Sequence, residues 1–313
     1  MSETNPQIAP PTSRRTPLLI AIAVLVVLAV VGGVVWSRSG DDAGAAAGER
    51  STKVVLGTVG ASDPYWQVLV DAAAEEGIDL EVKDFADYTQ PNPALSEGEL
   101  DINQFQHIVY LAEYNVANDD DLVPLGSTAI YPLGLYSSKV DSVEDIQDGD
   151  TVVVPDDDSN QARALLILQS AGLITLEDGG SIYSTLADID EDASRVQVKA
   201  IKADLTPTSL PDVAAAVINN DFVEKAGLSF ADALATDDVE DPNALPYVNI
   251  FAVRPEDRDD PALLELVEIY QETQAVLDGV QDVSGGTAEL VKIPQDELQA
   301  SLDEVEADTA ARQ

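Results

Sequence analysis

The sequence predicts an α/β fold of two lobes, preceded by one transmembrane helix. Three observations lead to this prediction. Strand-like and helix-like segments alternate from Lys53 onward, hydrophobic residues make up 45% of the chain, and residues 16–37 carry no charge. Such alternation is typical of a largely parallel sheet covered by helices. The length of 313 residues is enough for roughly two domain-sized units.

The N-terminal segment is predicted to anchor the chain in a membrane. Residues 16–37 are 22 consecutive uncharged residues, and a helix needs about 20 apolar residues to span a bilayer core. The run is longer than the apolar part of a cleaved signal peptide. Two arginines precede it and two aspartates follow, so residues 1–15 are predicted to be a cytoplasmic tail. Residues 38–52 are small and polar, which predicts a linker to an extracytoplasmic domain.

The elements of the first predicted lobe follow this linker. Residues 53–59 (KVVLGTV) are rich in β-branched side chains and predict a strand. Asp63 and Pro64 suit the N-cap and first position of a helix, whose apolar residues recur at helical spacing until Gly77. The next predicted elements are a strand at 79–85, a strand at 100–105 and a helix at about 107–118.

A second series of elements begins after residues 132–137. The predicted elements are a short helix and a strand before Pro155, a helix at 159–171, strands at 196–201, 213–219 and 247–254, and an amphipathic helix at 260–279. No unit of about 20–50 residues repeats, which excludes a solenoid. Two α/β lobes are therefore the simplest interpretation.

Composition excludes several classes of function. The chain has 58 acidic and 16 basic residues and a net charge of −42, which repels the phosphates of nucleic acids. Without cysteine it can form no disulfide, thiolate nucleophile or zinc–thiolate site. Its one histidine is His107, and it has no G-x-S-x-G, G-x-G-x-x-G, Walker A or H-E-x-x-H motif. The sequence therefore predicts a protein that is not an enzyme and has no catalytic residue, cofactor or metal; an exported hydrolase is the disfavoured alternative.

The negative charge is concentrated in the predicted extracytoplasmic part. Residues 51–313 carry 54 acidic and 12 basic residues, so the whole net charge of −42 lies there. Such a surface suits high external salt, where screening weakens the repulsion between carboxylates. Residues 155–161 (PDDDSNQ) space their acidic side chains like a calcium loop, but Gln161 replaces the glycine of such loops, and an acidic turn is predicted there.

An unusual cluster of aromatic residues lies between residues 85 and 114. Only 5% of the chain is aromatic, yet five such side chains accompany His107 within 30 positions: Phe85, Tyr88, Phe105, Tyr110 and Tyr114. Taken singly, each is more typical of a core residue. Tyr88, Phe105 and His107 nevertheless fall at predicted junctions between elements, where an α/β sheet presents side chains to a crevice. They are candidates for the wall of an apolar slot.

Arg163 and two asparagines are the candidate polar groups. Arg163 is predicted in the first turn of a helix, where the helix dipole disfavours a cation unless an anion binds there. An ion pair with an acidic residue at 156–158 is the alternative. Asn219 and Asn249 end or interrupt predicted strands, where asparagine is uncommon; their amide oxygens suit an ammonium group, with turn or edge positions as the alternative. Together these groups complement a zwitterionic amino acid with an apolar side chain.

Six segments of the chain carry a resemblance to a known family. They are DYTQPN (87–92), GELDINQFQH (98–107), PLGLYS (132–137), PDDDSNQARALLILQSAGLI (155–174), DVAAAVIN (212–219) and YVNIFAVR (247–254). In this order they resemble the methionine-binding proteins of bacterial ABC importers, the NlpA-type lipoprotein family. The resemblance covers nearly all of residues 51–300.

This resemblance implies a type II periplasmic-binding-protein fold of two α/β lobes. Lobe one would comprise residues 51–133 and 247–313, and lobe two residues 134–246. The segments at 132–137 and 247–254 would be the strands that cross between the lobes.

The resemblance also implies the roles of the site residues. Arg163, with Asn160 nearby, would hold the carboxylate of methionine. Asn219 and Asn249 would face its amino group. The side-chain slot would be lined by Tyr88, Phe105, His107 and Tyr110.

The implied function is delivery of methionine to an ABC permease, with a separate ATPase subunit driving transport. Family members are held by an acylated cysteine, which this chain lacks; the helix at 16–37 would replace it and leave the protein single-pass, with its N-terminus in the cytoplasm. Residues 60–66 (GASDPYW) also depart from the usual His-containing segment of the family. Alternative ligands are another hydrophobic amino acid or a Met-containing dipeptide, and the alternative function is a ligand-sensing ectodomain.

Overall fold

The computed structural model describes residues 51–239 and 244–312. The predicted cytoplasmic tail (1–15) and transmembrane helix (16–37) lie outside the described residues, as does the linker up to residue 50. Within the described part of the chain, no helix is both long enough and apolar enough to cross a membrane.

The described strands form two five-stranded sheets and one short pair. In chain order they are β1 (Thr52–Thr58), β2 (Ile78–Asp84), β3 (Ile102–His107), β4 (Val123–Ser127), β5 (Ala129–Ile130), β6 (Gly134–Tyr136), β7 (Thr151–Pro155), β8 (Gln197–Ile201), β9 (Ala215–Ile218), β10 (Ala235–Thr236), β11 (Asn249–Val253) and β12 (Glu289–Leu290). The first sheet has the order β2–β1–β3–β11–β4, and the second has the order β10–β6–β9–β7–β8. Strand β5 pairs with β12.

Helices follow most of these strands and cover the sheets. The α-helices are α1 (Pro64–Glu75), α2 (Pro91–Ser96), α3 (Ile108–Asn118), α4 (Asp158–Ser170), α5 (Thr206–Ser209), α6 (Asn220–Val223), α7 (Pro261–Glu272), α8 (Gln274–Val283) and α9 (Gln295–Ala310). Several begin as their sequences predict. Pro64 is the first residue of α1, as proline's fixed φ allows, and the Asp260 carboxylate accepts hydrogen bonds from the first turn of α7.

Each sheet is mixed, with four of its five strands running in one direction and one strand reversed. Strand β1 is parallel to β2 and β3, whereas β11 is antiparallel to β3 and β4. In the second sheet, β7 is parallel to β8 and β9, whereas β6 is antiparallel to β9 and β10. The reversed strands β6 and β11 are those that the chain enters after crossing from the other sheet. Strand β6 begins opposite the end of β9, and β11 begins opposite the ends of β3 and β4. The chain therefore enters each reversed strand at the edge where the neighbouring strands end, which is why these two strands run in the opposite direction.

Two segments carry the chain between the sheets. The first is residues 131–133, between β5 and β6, and the second lies between β10 and β11, where residues 237–239 and 244–248 are described. The two segments are bonded to each other, since the backbone N–H of Leu133 donates to the Asp237 carboxylate at 2.8 Å. The described parts of the two crossings are therefore joined by a hydrogen bond.

Apolar side chains cover both faces of each sheet. On β11, Phe251 and Val253 belong to one buried cluster, with Trp66 and Leu69 of α1, while the alternate residues of β11 belong to another. This alternation follows from the two-residue period of a strand. One cluster of the second sheet includes Tyr88 and Phe105, which follow or belong to strands of the first sheet. The two halves therefore share apolar packing across the space between them.

One predicted helix differs clearly from the structure. The amphipathic segment 260–279 forms two helices, α7 and α8, separated at Thr273, whose φ of −79° and ψ of 104° are extended. Neither proline nor glycine marks this break, so the sequence pattern continues across it. The short helix predicted before β7 is a single 3₁₀ turn at Val143–Asp145.

Candidate functional site

A crevice between the two sheets brings together all eight predicted site residues. Its wall contains Tyr88, Phe105, His107, Tyr110, Asn160, Arg163, Asn219 and Asn249, together with Gln106, Tyr131, Asn220 and Asp221. The space between these side chains amounts to about 360 Å³, part of it open to solvent. The crevice lies where the parallel strands of both sheets end, which is the usual position of a ligand site in α/β folds.

The first sheet contributes an aromatic wall. Phe105 lies in β3, Tyr110 lies in the first turn of α3, and Tyr88 follows β2. The ring centroids of Phe105 and Tyr110 are 5.7 Å apart in an edge-to-face arrangement, and Tyr88 lies 6.0 Å from Phe105. The Tyr110 hydroxyl donates to the Tyr88 carbonyl at 2.9 Å. The rings therefore support one another as one fixed apolar surface.

His107 joins the aromatic wall to the opposite half of the molecule. It caps α3, because its Nδ1 accepts a hydrogen bond from the backbone N–H of Tyr110 at 3.1 Å. The proton of a neutral ring must then be on Nε2, which lies 3.4 Å from Oδ1 of Asn160. Burial, and secondarily the charge of Arg163, lowers the pKa of His107 to about 3. His107 is therefore a neutral donor at physiological pH.

The start of α4 contributes a polar wall from the second sheet. The Asp157 carboxylate caps this helix and accepts from both the backbone N–H and the side-chain amide of Asn160, at 3.0 and 2.7 Å. Asn160 is thus held with its oxygen toward the crevice, where it also accepts from the Asn219 amide at 3.0 Å. Burial raises the pKa of Asp157 to about 6, and its hydrogen bonds act against that rise.

Arg163 is a buried cation with three partners. Its side chain is 7% exposed. Its Nε donates to the Asp237 carboxylate at 2.5 Å, its Nη2 donates to the Tyr131 carbonyl at 2.7 Å, and its guanidinium lies 4.7 Å from the centre of the Tyr247 ring. Arg163 therefore does form an ion pair, as the alternative proposed, but its partner is Asp237 and not an acidic residue at 156–158. The predicted position was also wrong, since α4 starts at Asp158 and Arg163 lies in its second turn.

The two predicted asparagines approach the crevice from different sheets. Asn219 follows β9 and is buried, and its Oδ1 has no hydrogen-bond partner within residues 51–239 and 244–312. Asn249 begins β11 and lies opposite His107 in the strand register. A buried amide oxygen without a partner is costly, so the Asn219 oxygen is well placed to accept from a bound group.

Buried amides support the aromatic wall from beneath. The Asn92 amide donates to Gln106 at 2.7 Å, and Gln106 in turn donates to Asn92 and Asn103 at 2.6 and 3.0 Å. Gln106 also contributes to the crevice wall. Because these groups satisfy one another, they fix the backbone of β3 on either side of Phe105.

Sequence reasoning missed four residues of the crevice wall, namely Gln106, Tyr131, Asn220 and Asp221. Asp221 carried no signal because it is one of 58 acidic residues. Tyr131 directly precedes the PLGLYS segment and contributes a backbone carbonyl, which no side-chain pattern reveals. Gln106 lies inside the GELDINQFQH segment, so the resemblance to the family could have indicated it as a site residue. Its residue type alone could not.

The crevice has the chemistry of a binding site. Its wall contains no serine, threonine or lysine, and its one histidine is held neutral by burial. Within the described residues, no group of three or more histidine or acidic side chains is arranged to hold a metal ion. The wall instead offers a buried guanidinium, several amides and a set of aromatic rings, which suit a small ligand with both polar and apolar parts.

Comparison with known proteins agrees with this chemistry. The sequence model of the NlpA lipoprotein family matches residues 54–289. The D-methionine-binding lipoprotein MetQ of Escherichia coli (strain K12) is 36% identical over 234 residues, which is 74% of this chain and 84% of that protein.

Solved structures show the same architecture. The substrate binding protein of a methionine transporter from Streptococcus pneumoniae is 34% identical, with a TM-score of 0.71 over 76% of this chain and 95% of that chain. A nutrient binding protein from Burkholderia cenocepacia, solved bound to methionine, is 37% identical, with a TM-score of 0.71 over 76% of this chain and 99% of that chain.

These likenesses confirm the predicted two-lobed α/β fold of periplasmic binding proteins. They also confirm that the chain is a solute-binding protein rather than an enzyme. The family match covers most of the described residues and the predicted family resemblance is therefore correct. The chain belongs to the NlpA lipoprotein family.

Proposed function

We propose that this protein binds methionine outside the cytoplasm and delivers it to the permease of an ABC importer, which a separate ATPase subunit powers. The observation that carries the proposal is that one crevice joins a buried guanidinium, amide oxygens and an aromatic slot. These are the complements of a carboxylate, an ammonium group and a thioether side chain. The names of the relatives, and the methionine bound in one solved neighbour, support the same ligand.

The carboxylate of methionine would bind to Arg163. A guanidinium has five N–H donors; the one on Nε donates to Asp237, and one of the two on Nη2 donates to Tyr131. Donors therefore remain for a ligand carboxylate on the side that lines the crevice. Asn160 lies beside it, held by Asp157. Arginine's fixed planar fork suits this recognition better than a lysine ammonium does.

The amino group of methionine would bind to amide oxygens of Asn219 and Asn249. Both residues belong to the crevice wall, and the Asn219 oxygen has no partner among the described residues. An ammonium group has three N–H donors and no acceptor, so it pairs naturally with such oxygens. Because Asn219 follows a strand of the second sheet and Asn249 begins a strand of the first, this end of the ligand would contact both lobes.

The thioether side chain would enter the slot lined by Tyr88, Phe105, His107 and Tyr110. Contacts between a thioether sulfur and an aromatic ring stabilise a complex by about 0.3–1.5 kcal/mol each. Leucine gains no such contacts, although it fits a slot of similar size. The slot therefore favours methionine over other hydrophobic amino acids.

Ligand binding would close two lobes, comprising residues 51–133 with 247–313 and residues 134–246. The membership of the strands supports these boundaries, since β1–β4 and β11 form one sheet and β6–β10 form the other. A ligand that contacts both lobes binds the closed form better than the open form, and so shifts the population toward closure. The closed form would then dock on the permease.

The extracytoplasmic domain would be tethered by a single N-terminal helix. We propose a cytoplasmic tail at 1–15, a membrane-spanning helix at 16–37 and a linker at 38–52. The uncharged run and the flanking charges support this arrangement. The relative MetQ of Escherichia coli is a lipoprotein, and this chain has no cysteine to carry a lipid, so a helix would serve the same purpose. The charge of −42 disfavours any role in binding nucleic acid.

Two measurements test the proposed function. The full chain, purified in detergent, is denatured and the released small molecules are identified by mass spectrometry. Calorimetry then compares L-methionine, D-methionine, leucine and a methionine-containing dipeptide. We expect methionine to bind more tightly than leucine. If leucine or the dipeptide binds more tightly than methionine, that compound and not methionine is the ligand. Failure of all four compounds to bind would contradict a solute-binding role for this crevice.

A further inference from the structure

We infer that Asp221 is the anionic partner of the ligand's ammonium group, so that the crevice binds both ends of a zwitterion through charge. This inference rests on the proposed function and extends it, because the amides of Asn219 and Asn249 carry no formal charge. Asp221 lies in α6, two residues after Asn219, and contributes to the same wall.

The charges of the crevice wall support this role. Its lining residues include two with a formal charge at neutral pH, Arg163 and Asp221, because His107 is neutral. Arg163 already has a counter-ion in Asp237. Asp221 has no ion-pair partner within 4.0 Å among the residues that the structure describes, so its charge remains available to a cation.

The described partners of Asp221 are neutral donors. The Tyr88 hydroxyl donates to Oδ2 at 2.6 Å, and the Asn220 amide donates to Oδ1 at 3.1 Å. The charged groups that influence it are Lys225, one helical turn along, and Asp63, which faces it from the first lobe. Burial raises the pKa of Asp221 to about 6, while the Tyr88 bond and Lys225 oppose the rise. The carboxylate is therefore mostly ionised at pH 7, in a site where a cation would stabilise it further.

A simpler role for Asp221 is to hold the Tyr88 ring in the aromatic wall. That role predicts that every ligand of the slot loses affinity to the same degree when the carboxylate is removed. Recognition of the ammonium predicts instead that only ligands with an amino group lose affinity. The two roles are therefore separated by a ligand that lacks this group.

The test compares L-methionine with 4-(methylthio)butanoate, which is methionine without its amino group. Calorimetry uses the full chain in detergent, as the wild-type protein and as Asp221→Asn, Tyr88→Phe and Asp63→Asn. We expect Asp221→Asn to weaken methionine binding by at least about tenfold and to change binding of the analogue by less than about twofold. Tyr88→Phe removes the hydroxyl bond but keeps the carboxylate, and Asp63→Asn removes a neighbouring carboxylate. Both should change the ratio of the two affinities much less than Asp221→Asn does, because the carboxylate of Asp221 remains.

Three results would overturn the inference. Equal loss for both ligands in Asp221→Asn, matched by Tyr88→Phe, would assign Asp221 to positioning the ring. An unchanged methionine affinity would remove it from recognition altogether. Failure of the wild-type protein to bind methionine would overturn both the proposed function and this inference. That result comes from the wild-type protein alone, so it is distinguished from a failure of the inference, which requires the variants.

A measurement on the wild-type protein covers the case in which Asp221→Asn does not fold. The ratio of the methionine affinity to the analogue affinity is measured between pH 7 and pH 5. If Asp221 binds the ammonium, the ratio falls as the carboxylate is protonated, while effects of pH on lobe closure cancel. A constant ratio over this range would contradict the inference.

Discussion

The two walls of the crevice differ in what they can contribute to a ligand. The first-sheet wall (Tyr88, Phe105, His107 and Tyr110) is aromatic and carries no formal charge. The second-sheet wall (Asn160, Arg163, Asn219 and Asp221) is polar and carries a charge of each sign. Neither wall complements an apolar amino acid by itself. The comparison teaches that recognition of such a ligand requires both walls at once, and under the proposed function this requirement would couple binding to closure of the lobes.

Few hydrogen bonds join the two walls directly. The Tyr88 hydroxyl donates to Asp221 at 2.6 Å, and the His107 Nε2 lies 3.4 Å from the Asn160 oxygen. Further from the crevice, Lys202 and Asp87 form a long ion pair at 3.9 Å. Arg163 also donates to the Tyr131 carbonyl of the other half at 2.7 Å, and the two halves share an apolar cluster. Because a ligand in the crevice would contact both walls, we expect changes in either wall to alter ligand affinity.

The largest effect is expected for Arg163→Lys in the second-sheet wall. Lysine keeps the charge but loses the planar fork, so we expect affinity for methionine to fall by about 2–3 kcal/mol. Calorimetry measures this loss. Arg195→Lys is the matched control, because Arg195 forms a more exposed ion pair with Asp148 at 3.0 Å in the same half of the chain. Wild-type affinity in Arg163→Lys would exclude Arg163 from the site.

Asp237→Asn should reduce stability more strongly without ligand than with it. It removes the counter-ion of a buried guanidinium and weakens the bond between the two crossing segments. We expect the free energy of unfolding to fall by about 1.5–3 kcal/mol without ligand. Saturating methionine should recover part of this loss, because its carboxylate provides another anion. Urea denaturation with and without methionine measures both values.

The control for this change is Asp148→Asn, which removes the exposed partner of Arg195 and should have little effect in either condition. Equal destabilisation of Asp237→Asn in the presence and absence of methionine would mean that the ligand carboxylate does not approach Arg163.

A pH dependence of affinity is expected from Glu113, which lies in α3 next to the start of α4. Burial first, and then the charges of Asp158 and Asp157, raise its pKa from 4.5 to about 8, although hydrogen bonds from Ser159 oppose the rise. The arrangement that brings Glu113 next to the start of α4 therefore favours the protonated carboxyl, and this is the arrangement proposed for the closed lobes. Its contribution to closure is complete below about pH 4.5 and is lost as the pH rises through about 8.

We expect methionine affinity to rise by up to about tenfold as the pH is lowered from 8 to 6, which allows for solvent screening of this half-buried group. Glu113→Gln should flatten the profile. Glu306→Gln is the control, because Glu306 is bonded to Asn115 within the first lobe. Calorimetry in two buffers of different ionisation enthalpy should also detect proton uptake on binding. Proton release near pH 7 would contradict the expectation.

The smallest effect is expected for Phe105→Leu in the first-sheet wall. This change removes a thioether–aromatic contact while keeping the slot apolar, so methionine affinity should fall by about 0.3–1.5 kcal/mol. Leucine affinity should change less, and the preference for methionine over leucine should therefore narrow. Phe85→Leu is the control, since Phe85 packs behind the slot rather than in its wall. Equal losses for both ligands would indicate general loss of packing.

Much of the fold was predictable from local sequence pattern. The strands at 53–59 and 196–201 and the helix at 159–171 match β1, β8 and α4 within two residues. Their signals are periodicity and end residues, which act over a few positions. The mixed direction of each sheet was not predictable in this way, because it follows from where the chain crosses between lobes.

The site was predictable where its residues belong to distinctive segments and unpredictable where they act over long distances. The aromatic residues and asparagines stood out by scarcity or by position. Asp237, which pairs with Arg163, lies 74 residues further along the chain, whereas local spacing pointed to residues 156–158. Asp221 could not be singled out from the sequence, because it is one of 58 acidic residues in the chain.

The hydrogen bonds of Asp237 have a consequence for which solutes the crevice would accept. The carboxylate of Asp237 accepts a hydrogen bond from the guanidinium of Arg163 and another from the backbone N–H of Leu133, which lies in the segment between the two sheets. The guanidinium of Arg163 is thus neutralised by a carboxylate of the protein itself, so we expect solutes that bring only a negative charge to gain little by binding there. Asp237, a residue of the connection between the two sheets, would in this way disfavour simple anions independently of the aromatic wall.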